Sequence, residues 1–207
     1  MVSSATTPTH RIRRTVLIVA ALNLGYFGVE AAVALAIGSV SLLADSVDFL
    51  EDTAVNLMIF LALGWSLRAR ARMGRLMAGV ILLPALAAVW QVVAKIGEPV
   101  APEPTPLILA AVGAFVVNGV CALLLVRVRH HGGSMTGAAW LAARNDVVVN
   151  LAIIVMGVVT AWTLSGWPDI VLGAAIIVLN LTAAREVWEV AEEERLAAKA
   201  LAGEEID

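Results

Sequence analysis

Six apolar stretches run through this 207-residue chain, at about 14–37, 41–66, 75–97, 106–127, 136–164 and 168–189. Each is close to the ~20 residues that cross the hydrocarbon core of a bilayer. Lipid offers no hydrogen bonds, so a spanning backbone must satisfy its own N–H and C=O groups, as a helix does within one segment. The fold class expected is therefore an all-α membrane protein: six transmembrane helices with both termini on the cytoplasmic side. A composition of 60% hydrophobic and 15% charged residues, with a mean hydropathy of +0.90, excludes a soluble domain. The expected organisation is an N-terminal tail at 1–13, a membrane domain at 14–189 and a short C-terminal tail at 190–207 that reads as a solvated helix. The first apolar run is too long for a cleaved signal peptide and contains Asn23 and Glu30.

The orientation follows from the basic residues. Arginines and lysines collect before the first stretch, between the second and third (Arg68, Arg70, Arg72, Arg75) and between the fourth and fifth (Arg127, Arg129). By the positive-inside rule these segments are cytoplasmic. His130 and His131, in the last of them, are expected at the headgroup surface. Trp65, Trp162, Trp167 and Trp188 fall near span ends, as an aromatic belt requires. The single cysteine, Cys121, excludes an intrachain disulfide and a cysteine-based metal cluster, and is expected to be a small packing residue.

The second stretch carries Asp45, Asp48, Glu51 and Asp52 inside its apolar run. On a helix, Asp45, Asp48, Asp52 and Asn56 fall within a stripe of roughly 80°, while Glu51 stands about 100° from Asp52 and points elsewhere. The fifth stretch carries Arg144, Asn145, Asp146 and Asn150, with Asp146 and Asn150 one turn apart on one face. At the helical rise, Asp48 and Asp52 lie about 10–17 Å deep and Asp146 about 15 Å deep. Carboxylates near the midplane are costly unless something cationic compensates them, so an ion pathway is the default reading. Converging carboxylates suit a divalent cation, and protons compete with it for the same oxygens. Asn23 precedes Asp52 by 29 residues and Asn118 precedes Asp146 by 28, a parallel that hints at two inverted three-helix halves.

The segment from Asn23 through Glu30 to Gly38-Ser-Val-Ser-Leu-Leu-Ala-Asp-Ser-Val-Asp-Phe-Leu-Glu-Asp resembles spans one and two of the cation diffusion facilitator family. These are six-helix, proton-coupled exporters of zinc and related divalent metals. The resemblance implies that Asp48 and Asp52 are the paired ligands of span two, and that Asp146 is the aspartate of the His-x-x-x-Asp motif of span five. Asn150 takes the polar position that often follows. Two departures stand out. Ala142 occupies the position of the motif histidine, and the cytoplasmic metal-binding domain usual in the family has only a tail in its place.

The function expected is a secondary transporter exporting a divalent metal (zinc, cobalt, cadmium, iron or manganese) from the cytoplasm in exchange for protons. The alternative is a non-transporting membrane protein of the same fold, acting as metal sensor or partner subunit. Asp48, Asp52 and Asp146 are the expected ligands, completed by Asn145 or water, with Asp45, Glu30 and Asn150 as relay or entry residues. Asp45 is also open to a plain role near the outer surface, and Glu30 and Glu51 to pairing with Arg144. Asn23, Asn118 and Asn180 are expected to hold helices together. An enzyme is not expected, since no span holds a histidine or a nucleophile–base pair, and no permanent cofactor is. The expected partners are the lipid bilayer, the metal ion as transported substrate and protons. A homodimer is allowed, nucleic acid is not, and the expected location is the cell's inner (plasma) membrane.

Overall fold

The computed structural model describes residues 8–62, 64–129 and 133–202. They form six helices and, among the described residues, no strand: α1 (Pro8–Ile37), α2 (Val40–Ala62), α3 (Leu67–Ile96), α4 (Pro104–Val126), α5 (Gly133–Thr163) and α6 (Trp167–Ala202). Three of them hold stretches long and apolar enough to cross a membrane, Thr9–Ile37, Pro104–Val126 and Thr136–Thr163. Ala85–Ile96 and Trp167–Asn180 are shorter apolar pieces. The protein is thus an all-α integral membrane protein. Trp162 and Trp167 are exposed near one set of helix ends and Trp65 near the other, whereas Trp188 is exposed within α6, well before its end at Ala202.

Three boundaries differ from expectation. The helix α1 begins at Pro8, so residues 8–13 are helical; residues 1–7 lie outside the described residues. The arginine-rich connection is the start of α3, capped by Ser66, whose side chain accepts from the Ala69 N–H. Serine at that position satisfies a backbone donor that the helix cannot, and arginine is a good helix former. Finally, the tail after Trp188 is helical as expected, but it is not a separate helix: α6 continues through it to Ala202. Between Ala174 and Ala202 the sequence has no glycine or proline, and Arg185–Glu189 and Arg195–Glu192 pair along the helix. His130 and His131 lie outside the described residues.

The helix α2 is central. It packs against all five others, and from Val40 to Ala54 only Asp48 is less than fully buried. The largest interfaces are α4 with α5, α3 with α6 and α1 with α2. Two apolar layers cross the bundle of α1, α2, α4 and α5. One contains Ala34, Leu43, Leu107 and Ile153. The other contains Val19, Ile59, Cys121 and Ala143. On each of the four helices the polar residues of interest fall between the two layers: Asn23 to Glu30, Asp45 to Asn56, Asn118, and Asp146 to Asn150.

The start of α2 is held by the start of α6. Asp169, 1% exposed, accepts from the Val40 N–H at 2.7 Å through one oxygen. Its other oxygen accepts from the Ser41 N–H at 3.1 Å and from the hydroxyls of Ser39 and Ser41, each at 2.6 Å. An anion at a helix N-terminus satisfies orphan donors and complements the helix dipole. Lower on the same interface the Asn180 amide donates to the Ala44 carbonyl at 2.8 Å. Between them Gly173 lets the backbones meet: a β-carbon there would stand 2.7 Å from the Ser41 nitrogen. At Gly38 the turn into α2 has a φ of 65°, which glycine alone adopts cheaply.

Two substitutions test this clamp by thermal unfolding in detergent. Asp169→Ala strands two N–H groups and two hydroxyls, and is expected to cost about 2–4 kcal/mol. Gly173→Ala forces α6 away from α2 and should cost about 1–3 kcal/mol. Gly79→Ala, whose new methyl would meet nothing within 4 Å, serves as the control and should leave the melting temperature unchanged or higher. Melting temperatures unchanged in all three proteins would remove the clamp from the account of this fold.

Candidate functional site

The carboxylate stripe of α2 faces α5 between the two apolar layers. Asp48 lies within charge–charge range of Asp146, Asp45, Glu51 and Asp52. Asp146 in turn feels Asp52, Asp45 and Glu51. The 3.6-residue period aligns Asp45, Asp48 and Asp52, and the packing of α5 on α2 brings Asp146 to them. The three expected ligands therefore share one region. They are not drawn into a single coordination sphere: among the described residues, no three His, Cys, Asp or Glu side chains are grouped closely enough to hold a metal ion. Like charges in low dielectric repel strongly, which favours separation.

Asp52 is oriented by a relay across three helices. The Asn23 amide of α1 donates to its carboxylate at 3.2 Å, and the Cys121 thiol of α4 donates to the Asn23 carbonyl at 3.5 Å. Asn23 does join helices, as expected, but it does so through a site residue. Cys121 is fully buried and has a polar role as well as a packing one. Nearby, the Tyr26 hydroxyl donates to the Ala110 carbonyl at 2.6 Å and its ring packs on Phe49 at 5.1 Å, tying α1 to α4 and α2.

One turn past each central aspartate stands an asparagine that is completely buried. The Asn56 amide donates to the backbone carbonyl of Asp52, and the Asn150 amide to that of Asp146, both at 2.8 Å. In each case the side-chain oxygen meets no donor among the described residues.

Glu30 and Asp45 are also completely buried, on α1 and α2. Their carboxyl groups lie within charge–charge range of each other, and neither has an N–H or O–H donor among the described residues. The expected pairing of Glu30 with Arg144 is therefore not formed. Arg144 is exposed, stacks over Trp140 at 5.4 Å and donates to the Asn145 carbonyl at 3.4 Å. Glu30 sits near the end of α1 and Arg144 near the start of α5, so the helical rise sets them at different depths.

Asn145 lies on the exposed face of an unbroken α5, turned away from the stripe. A continuous helix holds it about 100° from Asp146, and no local distortion brings it round. Glu51, expected to point away from the stripe, is 6% exposed and within charge range of Asp48 and Asp146. Because α2 is surrounded on all sides, even its off-stripe acid is buried.

The residue that sequence reasoning passed over is Asp169. Its signal was present: a helix beginning Ser39-Val40-Ser41 has backbone donors to satisfy, and an acid opens the last helix. Nothing local says that the two ends meet.

This geometry gathers buried side-chain oxygens of α1, α2 and α5 between the two apolar layers, a donor type suited to a hard or borderline cation. A comparison with curated proteins finds no match. Residues 16–192, most of the chain, match the model of the cation efflux transmembrane domain, so the protein belongs to the cation efflux family and is an integral membrane transporter of metal cations.

Proposed function

We propose that the protein is a secondary transporter that exports a divalent metal from the cytoplasm in exchange for protons. All six helices cross the membrane in this reading, with both termini inside. Asp48, Asp52 and Asp146 bind the metal, and water completes the shell. The observation that carries the reading is the meeting of acids from α2 and α5, within charge range of one another, between two apolar layers. Acids so placed hold a cation or protons in turn, and that exclusivity is what couples the two flows.

Ala142 leaves the ligand set without the imidazole that favours zinc. Manganese, iron(II) and cobalt therefore compete well with zinc for this site. The rival reading, a sensor or partner subunit that binds metal without moving it, draws on the separation of the acids. Transport decides between them.

In proteoliposomes with an imposed pH gradient, the parent protein should accumulate metal and Asp52→Ala should lose the activity while remaining folded. Full transport by Asp52→Ala would refute the ligand assignment, and metal binding without any transport by the parent would favour the sensor.

The orientation rests on the arginines at the start of α1, at the start of α3 and after α4. Cysteines placed by Glu103→Cys or Ser165→Cys should react with an impermeant thiol reagent from outside sealed cells. One placed by Gly74→Cys should react only after the cells are opened. Labelling of the last in sealed cells overturns the six-span map.

A further inference from the structure

Asn56 and Asn150 repeat one arrangement on two helices. Each follows a central aspartate by four residues, is 0% exposed, and donates its amide to that aspartate's backbone carbonyl at 2.8 Å. A backbone carbonyl has no proton to give, so the amide nitrogen must face it, and this fixes which way the side chain is flipped. The remaining side-chain oxygen is then committed to the opposite direction. In both residues it is buried and meets no donor among the described residues.

A purely structural role does not require asparagine. Where this helix needs only a side chain bonded back to its own backbone, it uses a hydroxyl. Ser46 donates to the Leu43 carbonyl at 2.6 Å, and Thr53 to the Phe49 carbonyl at 2.7 Å with a longer approach to the Ala20 carbonyl of α1 at 3.4 Å. Neither leaves an amide oxygen behind. Asparagine adds an acceptor that is costly to bury empty. Asn56 lies in the same helical stripe as Asp48 and Asp52, and Asn150 on the same face of α5 as Asp146. The polar section of each helix ends at its asparagine, short of the next apolar layer.

One apolar layer joins Leu43 of α2 to Ile153 of α5 and the other joins Ile59 to Ala143, so α2 and α5 run in opposite directions. One turn beyond Asp52 on α2 therefore leads towards the arginine-rich end of the bundle, and one turn beyond Asp146 on α5 leads towards the other. We propose that the amide oxygens of Asn56 and Asn150 are neutral ligands of the transported divalent cation, one on each side of the Asp52–Asp146 pair. The inference rests on the carboxylate reading above and extends it. An amide oxygen binds a cation without adding charge, so the ion is held at either flank less tightly than at the carboxylates. It can then enter from one side and leave by the other. Hard oxygen donors of this kind favour manganese, magnesium or calcium over zinc.

The test is calorimetric binding of Mn²⁺ and of Zn²⁺ to the purified full-length protein in nanodiscs. The variants are Asn56→Ser, Asn150→Ser, Asn150→His and Asp52→Ala. Serine keeps a group able to bond back to the aspartate carbonyl and removes the amide oxygen. Each serine variant is expected to bind Mn²⁺ about 10-fold more weakly or worse. Asn150→His places an imidazole at the same flank and should raise the preference for Zn²⁺ over Mn²⁺ by about 10-fold. A residue that only supports the helix would leave that preference unmoved, so the histidine variant still decides should a serine variant misfold. Binding lost in Asp52→Ala but unchanged in affinity and preference in all three asparagine variants overturns the asparagine assignment alone. Absence of metal binding by the parent overturns this assignment together with the carboxylate reading.

Discussion

Four acids in one apolar helix are the constraint on which the rest of the structure depends. A carboxylate facing lipid costs several kcal/mol, so α2 cannot occupy an edge of the bundle. It is placed where every direction is protein, with α1, α3, α4, α5 and α6 all packed on it. The charged stripe turns towards α5. The opposite side, Val47, Leu50 and Ala54, forms an apolar seam with Ala85 of α3 and Phe27 of α1. The helices with long apolar runs, α1, α4 and α5, supply lipid-facing surface that α2 cannot. The position of α2 thus follows from solvation before any question of transport arises.

Burying a polar helix demands partners, and the structure meets that demand unevenly. At the start of α2 the demand is fully met: Asp169 takes two N–H groups and two hydroxyls. Mid-helix hydroxyls bond back to their own backbone. Along the stripe the balance changes, and the side-chain oxygens of Glu30, Asp45, Asn56 and Asn150 meet no donor from the rest of the described protein. A protein that can saturate its polar groups at one end of a helix leaves acceptors open in the middle of it. Open acceptors between two apolar layers are what a cation path needs, since a saturated path would bind nothing.

The two halves of the chain share a spacing without being equivalent. Asn23 and Asp52 in the first correspond in spacing to Asn118 and Asp146 in the second, and each aspartate is followed by an asparagine bonded in the same way. The α1–α2 and α4–α5 interfaces are both extensive. The likeness stops at the third helix of each half. The last helix, α6, grips α2 through Asp169, Gly173 and Asn180, whereas α3 makes no comparable interface with α5 among the described residues. The two polar helices therefore differ in freedom: α2 is clamped at its start by α6, and α5 is held mainly by α4. Relative motion of α5 against α2 would change the spacing of the acids they share.

What lies within one segment was legible in the sequence. Six helices, the alignment of Asp45, Asp48 and Asp52, and the one-turn spacing of Asp146 and Asn150 all follow from the helical period, which a single stretch of chain encodes. Boundaries were less legible where charged residues extend a helix beyond its apolar part, as at the start of α3 and the end of α6, because helix propensity does not require hydrophobicity. Contacts between segments had to come from the tertiary structure. Glu30 lies within charge range of Asp45 and is not paired with Arg144, Cys121 reaches Asn23 and Asn23 reaches Asp52, Glu51 is buried, and Asp169 caps a helix 130 residues before it in the chain. Each of these depends on how two helices are rotated and set in depth against one another. That arrangement is decided by the packing of all six helices at once, and no single helix carries it.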